Sequence, residues 1–155
     1  MATGPEVRFY HLTRKTLEEV LPELLEKSLG RGWRAVVRAG SPERVASLDA
    51  HLWSADPQGF LPHGMSDDGH AADQPVWLTD KVENPNGAHV LFLVDGAGAD
   101  GLDAFQLACI LFDGRDAQAV QTARGDWKRL KDGGLKLTYW QQNERGGWAK
   151  AAEAG

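Results

Sequence analysis

The 155-residue sequence has one cysteine, Cys109, two tyrosines and two methionines. A lone thiol forms no intramolecular disulfide and no Cys-based zinc cage, which excludes disulfide-stapled domains and zinc ribbons. Long apolar runs are also missing. The longest, at 107–112 and 90–94, fall far short of the ~20 residues that a membrane helix needs. The first six residues, Met-Ala-Thr-Gly-Pro-Glu, have neither a basic start nor an apolar stretch, so no signal peptide is expected. Basic charge is not in excess: 17 Lys and Arg stand against 22 Asp and Glu, a net charge of −5. That balance argues against bulk attraction to nucleic acid. Together these absences predict a soluble, cytoplasmic protein with no membrane contact.

Catalytic signatures are equally scarce. Five histidines, at 11, 51, 63, 70 and 89, show no H-E-x-x-H or H-x-x-x-H spacing, so no metal site is expected. No serine sits in a G-x-S-x-G elbow and no phosphate-binding G-x-x-x-x-G-K-[ST] loop exists. Cys109 lies in the apolar run 107–112, where a thiol packs as a small hydrophobe. One motif does match a cofactor pattern: Gly96-Ala-Gly-Ala-Asp-Gly101 is a literal G-x-G-x-x-G after an apolar stretch. In a dinucleotide-binding fold such glycines let backbone N–H groups approach pyrophosphate at a helix N-terminus. Here Leu91 to Asp113 spans 23 residues, short of the ~30 of that unit. A nucleotide-binding enzyme using this loop is the alternative reading. The primary expectation is a non-enzymatic protein without cofactor.

What remains reads as one α/β domain over residues 1–155. Its core lies at about 7–140, with a C-terminal extension at 141–155. Val7–Leu12 alternates and is β-rich. Thr16 and Glu19 form a capping-box pattern before a helical stripe of leucines, although Pro22 must either kink that helix or mark its regular start. Ser41-Pro42 starts a helix carrying Val45, Leu48 and Leu52. Residues 56–75 read as loop. Short strands are expected at 76–79, 89–94 and 107–112, and Asp116–Asp132 is the best helix of the C-terminal third. This alternation predicts a single three-layer α/β domain with a mainly parallel sheet covered on both faces.

Charge singles out that last helix. Residues 1–100 carry a net −6, yet Gly114–Leu137 carries +3, a local patch suited to a specific acidic partner. Val120, Ala123, Trp127 and Leu130 recur as a core stripe. Arg124, Lys128 and Lys131 form a neighbouring row. At 100° per residue Trp127 falls about 60° from Arg124, at the border of the two rows. The pattern offers a pocket for an apolar side chain with a cationic rim. Trp53 and Phe60 stand outside any periodic stripe and suit equally a second contact surface or a cover over the end of the core.

Four segments, Phe9-Tyr-His-Leu12, Leu48-Asp-Ala-His-Leu-Trp53, Phe60-Leu-Pro-His63 and Ala123-Arg-Gly-Asp-Trp-Lys128, resemble in order and spacing the chi subunits of the bacterial DNA polymerase III holoenzyme. The resemblance runs from about Val7 to Trp140. It implies a Rossmann-like adaptor in DNA replication that binds the acidic C-terminal tail of single-stranded DNA-binding protein. Through the psi subunit, such a protein links that tail to the clamp loader. Arg124, Trp127 and Lys128 match the positions that receive the tail, and Trp53 and Phe60 match the psi-facing aromatics. The family can carry a further basic residue one turn before Arg124; here the position is Val120, and Lys131 stands in as the third cation. The acidic chain shows no stacking-plus-basic groove, so DNA is expected to be reached only indirectly.

Overall fold

The computed structural model describes residues 4–54, 63–65, 69–145 and 147–154; of residues 53 and 54 it describes the backbone only. Its elements in chain order are β1 (Glu6–Leu12), α1 (Leu17–Gly30), β2 (Ala35–Arg38), α2 (Pro42–Ser54), β3 (Gly64–Met65), β4 (Val76–Thr79), β5 (Val90–Leu93), β6 (Leu107–Asp113), α3 (Ala117–Asp132), β7 (Leu137–Gln142) and β8 (Trp148–Ala154). The eight strands form one sheet in the order β3-β4-β2-β5-β6-β1-β7-β8. Every pairing is parallel except β7 with β8. The expected α/β architecture with a mainly parallel sheet is the one found. No described helix is long and apolar enough to cross a membrane.

Strand alternation sorts the core into two layers. Tyr10 and Leu12 of β1 and Cys109 and Leu111 of β6 join the cluster under α1 and α2, which includes Val20, Leu25 and Leu48. Val7 and Phe9 of β1 and Ala108 and Ile110 of β6 face the other way, toward Ala123 and Leu130 of α3. The central strands β2 and β5 are buried along their whole length, as expected of a parallel sheet covered on both faces.

Thr16 caps α1 as its spacing foretold: its side chain accepts from Glu19 N, and the Glu19 carboxylate accepts from Thr16 N at 3.1 Å. Pro22 neither starts nor breaks the helix, which runs through it from Leu17 to Gly30. A proline there removes the N–H that the Glu18 carbonyl would accept. His51 of α2 supplies the replacement, donating Nε2–H to the Glu18 carbonyl at 2.7 Å.

The loop reading of 56–75 needs correction. Gly64–Met65 forms β3, which pairs with β4, and residues 71–73 make a 3-10 turn. These two-to-three-residue elements are too short to leave a periodic pattern. The tail beyond residue 141 holds β8, which pairs with β7 at the sheet edge.

Candidate functional site

Asp116 caps α3 by accepting from Gln118 N at 2.9 Å and from Ala119 N. The helix then lays Ala123 and Leu130 fully into the core, with Val120 and Trp127 half-buried beside them. Arg124, Lys128 and Lys131 are exposed. Among the described residues none of the three pairs with a carboxylate, whereas Arg129 on the same helix is held by Asp126 at 3.5 Å. Three cations left unpaired along one row produce a positive field on an otherwise acidic molecule.

Trp127 does more than border that row. Its ring meets Phe9 edge-on at 5.3 Å and Tyr139 of β7 at 6.0 Å. Tyr139 also lies 6.0 Å from Phe112 and 5.8 Å from His11. The Tyr139 hydroxyl hydrogen-bonds to His11 Nδ1. The sheet brings Phe9 and Tyr139 together, because they are direct partners in the β1–β7 register. The result is an aromatic floor with a cationic wall: half-buried Trp127 and Tyr139 reach the surface beside Arg124. Burial holds His11 below the usual histidine range; Asp113 opposes that shift and the Arg124 charge adds to it. Burial raises Tyr139, with Arg124 pulling the other way. Arg124 thus acts electrostatically on both His11 and Tyr139. Neutral His11 therefore contributes a hydrogen-bonding ring rather than a fourth charge.

The sequence pattern did not single out His11, Tyr139, Phe9 or Phe112 for this site. Phe9-Tyr-His is visible as a strand motif, but nothing local shows that its odd residues face α3. Gly114 adds a further condition: a β-carbon there would overlap the His11 ring at Nε2 and Cδ2, so only glycine lets the ring lie where it does.

The second candidate surface is only partly described. Trp53 lies in the last turn of α2, its side chain beyond the described atoms, and Phe60 lies outside the described residues. Nearby, the His63 imidazole is buried, with Nε2 3.3 Å from the Asp49 carboxylate.

The glycine loop does not form a phosphate cradle. Gly96 and Gly101 turn the chain with φ of +74° and +64°. The chain then enters a 3-10 turn over Leu102–Ala104, not an α-helix. The loop directs carbonyls inward: Gly98 O and Asp100 O each accept from Nη1 of buried Arg38 at 2.8 Å. Asp113, at the end of β6, accepts from Arg115 N and Arg115 Nε. At the first strand-to-helix turn, where doubly wound folds hold phosphate, the N–H groups of Thr13, Arg14 and Lys15 all donate to Gln142 Oε1 at 2.9, 2.8 and 3.1 Å. A cleft of about 500 Å³ does open at the C-terminal ends of β1, β5 and β6. Three of its cations are taken: Arg44 by Glu18 and Asp95, Arg115 by Asp113, and Lys15 by Glu23. Among the described residues no group of three or more His, Cys, Asp or Glu side chains could hold a metal ion.

The family model for "DNA polymerase III chi subunit, HolC" matches residues 5–138. A curated protein of Rickettsia prowazekii (strain Madrid E), "Probable DNA polymerase III subunit chi", is 29% identical over 85 residues, covering 55% of this chain. The aligned stretch spans about half, 52%, of that relative's length.

Proposed function

The chain belongs to the DNA polymerase III chi subunit family, and from that premise we propose that it is a non-catalytic adaptor of the replicative polymerase assembly. It receives the acidic C-terminal tail of single-stranded DNA-binding protein on α3. It works in the cytoplasm, and through a psi-type subunit on the Trp53/Phe60 surface it links that tail to the clamp loader. On α3, DNA is reached through the tail-bearing protein. The observation that carries this reading is the unpaired row of Arg124, Lys128 and Lys131 beside the exposed edges of Trp127 and Tyr139.

The mechanism rests on those groups. An apolar terminal side chain of the tail rests on the edge of the Trp127–Tyr139 floor. Arg124, with its planar fork, pairs with the terminal carboxylate, while Lys128 and Lys131 act as mobile charges for the preceding acids. All three cations are exposed, so the attraction is screened and weakens as salt rises. The test is a titration of a labelled acidic peptide ending in phenylalanine, at low and moderate salt, against the native chain and Arg124→Glu. Salt-sensitive binding abolished by the substitution supports the reading. A peptide ignored at low salt sinks it.

A further inference from the structure

The face of the sheet opposite α3 is incompletely covered. Among the described residues α1 packs chiefly on β2 and β6, and α2 on β3 and β4. Trp140 of β7 and Trp148 of β8 lie on that same face, half-buried against the core cluster under α1 and α2. There, alongside the C-terminal half of α1, lies a cleft of about 190 Å³. Its lining includes the rings of Tyr10, Trp33, Trp140 and Trp148, with Phe92 of β5 at its base, and the cations Arg8, Lys27 and Arg31. These residues come from β1, α1, the turn before β2, β5, β7 and β8, so the sequence reading of a chain without a stacking-plus-basic groove does not hold.

Rings and cations are interleaved. The Arg31 guanidinium lies 5.4 Å from the centre of the Trp33 ring. Arg8 and Tyr10, two residues apart on β1, line the same cleft. Lys150 stands directly opposite Trp140 in the β7–β8 register. Trp148 meets Tyr10 edge-on at 4.9 Å. The acids nearby are Glu6, 3.6 Å from Arg8, and Glu153, 3.1 Å from Lys150. Lys27 and Arg31 are exposed and, among the described residues, have no carboxylate partner. Arg8 Nε is buried with no hydrogen-bond partner, a donor left over beside the ion pair with Glu6.

We propose that this cleft docks single-stranded DNA, with a base against Trp140 and Trp148 and flanking phosphates on Arg8, Lys27 and Arg31. A single strand alternates rings with negative charges, which matches a surface where cations lie among aromatic rings. An acidic peptide separates its charges from its rings and suits a row of cations with one aromatic edge, the pattern on α3. The cleft volume suits one inserted base rather than a stacked run. The site lies on the opposite face from α3, so a strand and a protein tail are held without competing. This extends the adaptor reading and does not depend on it.

The test uses the full chain and a fluorescein-labelled oligothymidine of about 12 nucleotides, within the range of single-strand site sizes. Anisotropy and tryptophan emission are read together at low salt. Binding is expected with quenching of tryptophan emission. The log–log salt slope should be about −2, three phosphate contacts at roughly −0.7 each. Lys27→Glu with Arg31→Glu, both on exposed positions that leave the core intact, should weaken it about tenfold or more. Arg124→Glu should leave oligonucleotide binding unchanged. The proposal is overturned by no anisotropy rise at low salt, by binding that the double variant does not weaken, or by an acidic peptide that displaces the oligonucleotide and itself requires Lys27 and Arg31.

Discussion

Replacing His51 by leucine removes the imidazole that donates to the Glu18 carbonyl at 2.7 Å, an acceptor left free by Pro22 inside α1. A buried acceptor stripped of its partner costs about 1–3 kcal/mol. Glu18 and His51 are only half-buried, so water replaces part of the loss and the expected cost is about 1 kcal/mol. Pro22→Ala changes the account, because an alanine at this position brings an N–H to the same carbonyl and relieves the ring contact one turn back. Its net gain is reduced by about 0.4–1 kcal/mol, the unfolded-state freedom that alanine restores. In the Pro22→Ala background His51→Leu should cost no more than about 0.3 kcal/mol, so the pair couples by about 0.7 kcal/mol. Urea unfolding followed by tryptophan emission measures all four corners. A loss of 1 kcal/mol also appears as a melting shift of about 2–4 °C at this chain length. Additive substitutions, or His51→Leu with no cost, would refute the idea that a histidine from α2 completes the helix that Pro22 interrupts. The contact anchors α2 two residues before Trp53, a residue of the proposed psi-facing surface.

Gly114→Ala would drive a β-carbon into the His11 ring, forcing the ring away from Tyr139. A loss of about 1–3 kcal/mol in stability is expected, together with weaker acidic-peptide binding; an unchanged melt contradicts the packing described. Trp127→Ala removes the edge-on contact with Phe9 and should cost about 2–4 kcal/mol in urea unfolding, with Trp127→Phe recovering most of it; equal losses for the two variants would deny the ring a packing role. Burial, opposed by Asp113 and assisted by Arg124, lowers the His11 pKa, so the unfolded chain takes up that proton first as pH falls through about 6.5. Stability from this group is full above that pH, declines toward the folded pKa and is flat below it. NMR titration of His11 should show its pKa rise in Arg124→Glu, and a pKa unmoved by that change would separate the two groups.

Near-neighbour chemistry was legible in the chain. The Thr16–Glu19 capping box, the core stripe of α3 and the border position of Trp127 beside Arg124, Lys128 and Lys131 all follow from spacings within one or two helical turns. At that range backbone geometry alone sets which side chains meet. Glycine spacing supported only the alternative reading, for a related reason. It reports the backbone freedom of residues 96–101, but not that their carbonyls turn inward to Arg38, sixty residues away in sequence.

Everything that completes a site was settled across the sheet. Gln142 fills the nest at residues 13–15 from 129 residues away in sequence. His11 meets Tyr139 through the pairing of β1 with β7. The ring-and-cation cleft gathers residues from near both ends of the chain. A sequence specifies which residues share a strand face, because side chains alternate along the backbone. Which strands become neighbours depends on how the two apolar faces of the whole sheet are covered, and that is a property of the assembled core.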